Sequence, residues 1–331
     1  MKIIIVLILF YLLFSPLHIM ANELDERESI RKYVASFFMQ ERFEMLDAIA
    51  EDFKKNCSRT ASGIWKLSIY RTGIGTVAIS ENKDEAYWEN IEQKALKWVN
   101  QNPDSPFAHN AYALILVQHG WKHRGKGWAR DVKPENWEPF YYYINKAKEY
   151  LIQNKEIGSK DPNWYEAMLR IATAESWDEK DFNQLIDEAL SKNPLFYELY
   201  FHAVNFLTPK WHGSRDKIEK FAKEAVNRTK DKEGKGLYAR IYWYASQAQY
   251  GNRLFKKSKV IWSQMSEGID DVLAEYPDQW NINNFAHFAC LAGDKKKANE
   301  LLNMIEGEPI IEVWRHKGVY EHYKNWASGN I

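Results

Sequence analysis

Cysteine is almost missing: Cys57 and Cys290 are the only two in 331 residues. That excludes a disulfide framework. The lack of any CxxC spacing leaves no thiolate zinc site and no thioredoxin-like motif. A single Cys57–Cys290 bridge stays open, because sequence separation does not set disulfide geometry. Cys290 lies within the apolar stretch Phe285, Ala286, His287, Phe288, Ala289 and reads as a buried helical thiol. Excess charge of one sign is missing too. Lys plus Arg and Asp plus Glu both number 45, so no electrostatic case exists for nucleic acid. HExxH, GxSxG and P-loop motifs are absent, and Ser, His and Asp stand at no spacing that assembles a nucleophile. No cofactor and no metal are implied, and an enzyme is the less favoured class.

Long apolar runs are confined to the N-terminus. Lys2 is followed by an apolar run over residues 3–14, the break Ser15-Pro16, and the small residue Ala21. This order predicts a signal peptide over residues 1–21, and hence a periplasmic or secreted protein. The run is short for a membrane span. A membrane association is expected only if this segment stays uncleaved as an anchor.

What the chain has in quantity is aromatic residues, 15%, with 14 tryptophans. Bulky rings filling gaps between helices are the plain reading; stacking on sugars or peptides is the sharper one. Apolar residues recur at helical spacing along most of the chain. Ile30, Tyr33, Val34 and Phe37 share one face, and Leu46, Ile49, Ala50 and Phe53 another. These predict a helical hairpin turning at residues 40–42, followed by an irregular segment that includes Thr72, Gly73, Ile74, Gly75 and Thr76. Residues 22–82 form this N-terminal unit, and residues 83–331 a helical-repeat region.

In that region prolines punctuate: Asn102-Pro103, Asp161-Pro162, Asn193-Pro194 and Tyr276-Pro277. Proline disfavours helix in the residue before it. Pro162 and Pro194 are 32 residues apart, near the tetratricopeptide period of about 34. Small residues Ala113, Ala172, Ala203 and Ala286 follow at depths where two helices approach closely. The spacing predicts an all-α fold of antiparallel hairpins stacked as a solenoid. Residues 310–326 read as a helical tail that Gly318 divides.

Phe285, Ala286, Ala298, Leu302 and Pro309, with Ala189 and Pro194 of the preceding unit, stand at tetratricopeptide spacings. The chain further resembles a family of exported bacterial TPR-like proteins carrying a domain of unknown function. That likeness rests on residues 62–67, on Trp121, Arg124, Gly125, Gly127, Ala129 and Val132, on residues 209–214, and on residues 238–242. The resemblance implies a helical fold and export, and brings no activity.

Two segments carry candidate chemistry. In the first, Gly120, Gly125 and Gly127 make a continuous helix past Gln118 improbable. His119 and His123 are four apart, but no acid lies near enough in sequence to complete a metal set. Lys122, Arg124, Lys126 and Arg130 concentrate positive charge there, between Trp121 and Trp128. A basic loop paired with acids of neighbouring helices is the plain reading, and an anion-binding loop the alternative. In the second, Trp211 and His212 precede Gly213 and Ser214, where Ser214 suits a helix cap. Trp211 is either a wedge between helices or the rim of a pocket shared with Arg124.

Stacked hairpins expose a long concave face, so binding of a protein or peptide partner is the leading expectation. The alternative is a small-ligand or enzyme site made by His119, Trp121, His123, Arg124, Trp128 and Arg130 together with Trp211 and His212.

Overall fold

The computed structural model describes residues 23–78, 84–125, 127, 129–211 and 213–329. The expected signal peptide lies outside the described residues. The described chain is all-α, and its only β feature is an isolated bridge between Arg59 and Trp65. Fifteen helices of nine residues or more are described. They are α1 (Glu23–Met39), α2 (Phe43–Lys55), α3 (Lys66–Thr76), α4 (Glu85–Gln101) and α5 (Pro106–Arg124). Then come α6 (Trp137–Gln153), α7 (Asn163–Ala174), α8 (Glu179–Lys192), α9 (Tyr197–Phe206) and α10 (Arg215–Glu233). The last are α11 (Gly236–Ala245), α12 (Trp262–Glu275), α13 (Gln279–Ala292), α14 (Lys295–Asn303) and α15 (Lys317–Ser328). No described helix is long and apolar enough to cross a membrane.

Local chemistry sets many of the ends. Asp84, Ser105, Asp178, Ser214 and Asp294 each accept a first-turn backbone N–H with the side chain, satisfying a donor that the helix cannot. Helices α4 and α8 stop one residue before Asn-Pro, and α12 stops just before Tyr276-Pro277. Gly293 ends α13 in the left-handed region at φ 77°.

Helices α3, α5, α7, α9 and α11 touch one another in succession, and α6, α8, α10 and α12 pack against α5, α7, α9 and α11 respectively. Helix α5 is deeply enclosed, with every residue from Phe107 to Val117 buried. Burial of each aliphatic side chain there contributes about 1.5–3 kcal/mol.

Three sequence readings change. Residues 72–76 are not a loop but the end of α3. Gly73 is there because a Cβ would come within 2.8 Å of Val34 on α1, so the glycine allows helix contact rather than a turn. Helix α5 does not break at His119 but continues to Arg124, where Gly125 at φ 71° ends it. A Cβ on Gly120 would lie 3.1 Å from the Phe140 carbonyl, so close approach of α6 offsets the helical cost of glycine. The tail breaks at Arg315 (φ 63°) and His316 rather than at Gly318. Cys57 and Cys290 are both free, the first exposed and the second buried.

Residues 59–71 run across α7, α9, α11 and α13. Trp65 Nε1 donates to the Leu195 carbonyl at 2.6 Å. The Ser62 carbonyl accepts from Arg240 (2.8 Å) and Asn281 (3.0 Å). Glu23, 3% exposed, accepts from Thr60, Ser62 and Arg27. Arg71 Nε lies 2.9 Å from Glu166, whose carboxylate also meets His202 Nε2 at 2.6 Å. Burial pushes Glu166 up, but Arg71, His202 and Arg170 outweigh it and hold this carboxyl far below the usual range. The chain's own N-terminal segment thus covers part of the face along which these helices line up.

Candidate functional site

The continuous α5 puts His119 and His123 one turn apart on one face. His119 is fully buried, stacked between Trp88 of α4 (4.6 Å between centroids) and Tyr143 of α6 (3.8 Å). Its Nδ1 lies 2.6 Å from Glu92 Oε1, and its Nε2 2.9 Å from Glu85 Oε2. Lys146 supports Glu92 at 3.1 Å, and Lys122 pairs with the other oxygen of Glu85. Burial pushes Glu85 up, yet Lys122 and His119 win and its carboxyl sits below the usual range. His123 Nε2 is buried, 3.8 Å from Glu85 Oε1, and has no hydrogen-bond partner. Burial lowers the His123 pKa. The expectation that no acid stands near this histidine pair is therefore corrected: Glu85, on the preceding helix, does.

The next residue faces a different environment. Arg124 is 7% exposed. Its guanidinium carbon lies 5.0 Å from the Trp121 ring centroid, 5.4 Å from Trp137, 5.9 Å from Phe140 and 5.7 Å from Trp211. Its Nη1 donates to the Gly125 and Gly127 carbonyls at 3.1 and 3.2 Å. No carboxylate among the described residues pairs with it, and burial lowers its pKa. The plain reading of a basic loop paired with acids therefore fails for Arg124, although it holds for Lys122.

Trp211 comes from the turn between α9 and α10 and meets Trp121 edge-to-face at 6.3 Å and 90°. The turn is closed by Trp211 and Gly213 N–H groups donating to the Thr208 carbonyl at 3.0 and 3.2 Å. Trp211 is thus half-buried between helices and also one wall around Arg124. The two segments selected from sequence, about ninety residues apart, converge at Arg124. Arg130 does not join them: its side chain is 82% exposed and faces Asp131 at 3.6 Å. Trp128 and His212 lie outside the described residues.

Sequence reasoning missed Glu85, Glu92, Trp137, Phe140 and Tyr143. The last three recur at intervals of three, a helical stripe that marks a buried face but not its partner. Every described tryptophan is buried or half-buried. In comparisons with protein-family models, curated proteins and solved structures, nothing matches this chain.

Proposed function

We propose that the protein is an exported helical-repeat binding protein of TPR-like build. Its recognition site lies where the end of α5 meets the 209–214 turn, and the site takes a carboxylate of a protein or peptide partner. One observation carries this reading: Arg124 is a buried cation walled by four aromatic rings, with no carboxylate partner among the described residues. Burial raises the cost of an unpaired charge, and a carboxylate offers a planar, bidentate match to a guanidinium. Aromatic walls lower the local dielectric and give a peptide apolar contact. The run of residues 59–71 over α7, α9 and α11 argues against that face as the groove for an extended partner. The N-terminal apolar segment supports export.

The test is capture of arrayed peptides with free or amidated C-termini and with or without acidic side chains. Retention is expected to require a carboxylate. Arg124→Gln should weaken it by about 10–100-fold, the equivalent of a charged hydrogen bond of about 1.5–3 kcal/mol, with helix content unchanged by circular dichroism. Equal retention of the neutral peptides, or equal retention by Arg124→Gln, would remove this reading.

A further inference from the structure

We propose that Glu85, His119 and His123 form a binding site for a divalent transition ion, with zinc as the best fit. The ligand atoms of the three residues all lie within 4.8 Å of one another. A tetrahedral zinc with bonds of about 2.0–2.1 Å needs ligands about 3.4 Å apart, which small side-chain rotations supply. The sequence placed the two histidines four apart, and the unbroken helix aims both at α4, where Glu85 stands in the first turn.

Three further features distinguish this cluster from a chance meeting of polar groups. First, His123 Nε2 is buried and makes no hydrogen bond, so a donor atom faces the cluster unused. Second, Glu92 holds the far nitrogen of His119 at 2.6 Å, and Lys146 holds Glu92 in turn. A carboxylate behind a ligating histidine fixes the ring and leaves Nε2 for the metal. Third, the rings are already held: Trp88 and Tyr143 clamp His119, and Tyr143 lies parallel to His123 within 5° at 5.7 Å. Two imidazoles and a carboxylate suit zinc and its neighbours rather than magnesium or calcium, which favour all-oxygen sets.

Binding exchanges groups in a defined way. The ion takes the place of the hydrogen bond between His119 Nε2 and Glu85 Oε2 and displaces any proton from the nitrogen. Lys122 stays on the outer oxygen of Glu85 as a competing positive charge. Three protein ligands leave the fourth position to water. The site does not rest on the carboxylate reading of Arg124, whose aromatic walls come from other residues.

The experiment uses the full chain, freed of metal with a chelator and then titrated with Zn2+ against a chromophoric competitor. Co2+ serves as a spectroscopic stand-in. One equivalent should bind, and cobalt should give the visible absorption of a four-coordinate nitrogen and oxygen site. His123→Ala, which leaves the Glu92–His119–Glu85 contacts in place, should weaken zinc at least about tenfold, as Glu85→Gln should. Lys122→Gln removes the competing cation and should tighten it severalfold; weaker binding there would contradict the assignment of Glu85. Absence of saturable binding by a natively helical protein would overturn the proposal, as would binding that survives both His123→Ala and Glu85→Gln. Arg124→Gln should leave zinc affinity unchanged, so the two sites fail or stand separately.

Discussion

The last two turns of α5 carry two solutions to the problem of a buried charge. Toward α4, His119 has a carboxylate oxygen at each ring nitrogen, and Glu85 and Glu92 each have a lysine. Toward the 209–214 turn, Arg124 has four aromatic rings and two backbone carbonyls, but no anion among the described residues. The first arrangement is a network in which His119, Glu85, Glu92 and the two lysines serve one another, with His123 Nε2 unpaired beside it. The second stabilises a cation through ring quadrupoles and main-chain dipoles, leaving its charge unneutralised. Paired networks are sensitive to deletion of any member. An unneutralised cation loses little when removed and gains when an anion arrives.

The largest expected effect breaks the network. His119→Ala empties the space between Trp88 and Tyr143 and leaves Glu92, 7% exposed, with only Lys146. Removing one partner of a buried ionic group costs about 3–5 kcal/mol. Urea denaturation should show a loss in that range. A loss under about 1 kcal/mol would mean that water already satisfies both carboxylates.

The next test breaks the other side alone. A Cβ at position 213 would lie 1.7 Å from the Leu207 carbonyl oxygen, a main-chain atom that no rotamer change moves. Gly213→Ala should therefore open the turn and draw Trp211 away from Arg124. The expected cost is about 3 kcal/mol, at the upper end for overpacking. Tryptophan fluorescence should shift while zinc affinity holds. If instead zinc affinity falls with it, the two faces of α5 are coupled.

Much of the architecture was legible because it is local. Ser214 announces a helix start, and Asn102-Pro103 and Asn193-Pro194 announce stops, since caps and proline act within a few residues. The site was legible in half. Arg124 and Trp211 could be singled out as unusual residues in glycine-containing turns, and they do meet. Glu85 could not be, since it lies 34 residues before His119 and reaches it only through the packing of α4 on α5. Gly120 and Gly73 misled for the same reason. Glycine propensity is a local quantity, and the contacts that outweigh it, with Phe140 and Val34, are tertiary.

Asp161 is the anionic counterpart of Arg124: a fully buried carboxyl that accepts from Asn110 and Asn163 and has no ion pair among the described residues. Burial raises its pKa to about 6. The folded state therefore holds a proton that the unfolded chain, near 3.9, releases first. Between those values the native state binds more protons, so this group's contribution falls as pH rises through about 4 to 6 and is lost above that. Across the window Asp161→Asn should gain on the native protein by up to about 3 kcal/mol. Denaturant midpoints at pH 4 and pH 7 measure it; a pH-independent difference would mean that the Asn110 and Asn163 donors keep Asp161 ionised.

The smallest expected effect is the most telling for the comparison. Arg124→Met keeps an unbranched apolar stem between Trp121, Trp137, Phe140 and Trp211 and gives up the guanidinium with its two bonds to the Gly125 and Gly127 carbonyls. The lost cation–π attraction costs about 0.5–2 kcal/mol. Removing the desolvation penalty of a buried charge offsets it, and methionine sulfur packs well against ring edges. Net stability should stay within about 1 kcal/mol of the native protein, while capture of carboxylate peptides is lost. A loss of 3 kcal/mol or more, about that expected for His119→Ala, would instead make Arg124 a member of a paired network, its aromatic enclosure built to hold the helix end rather than to receive a ligand.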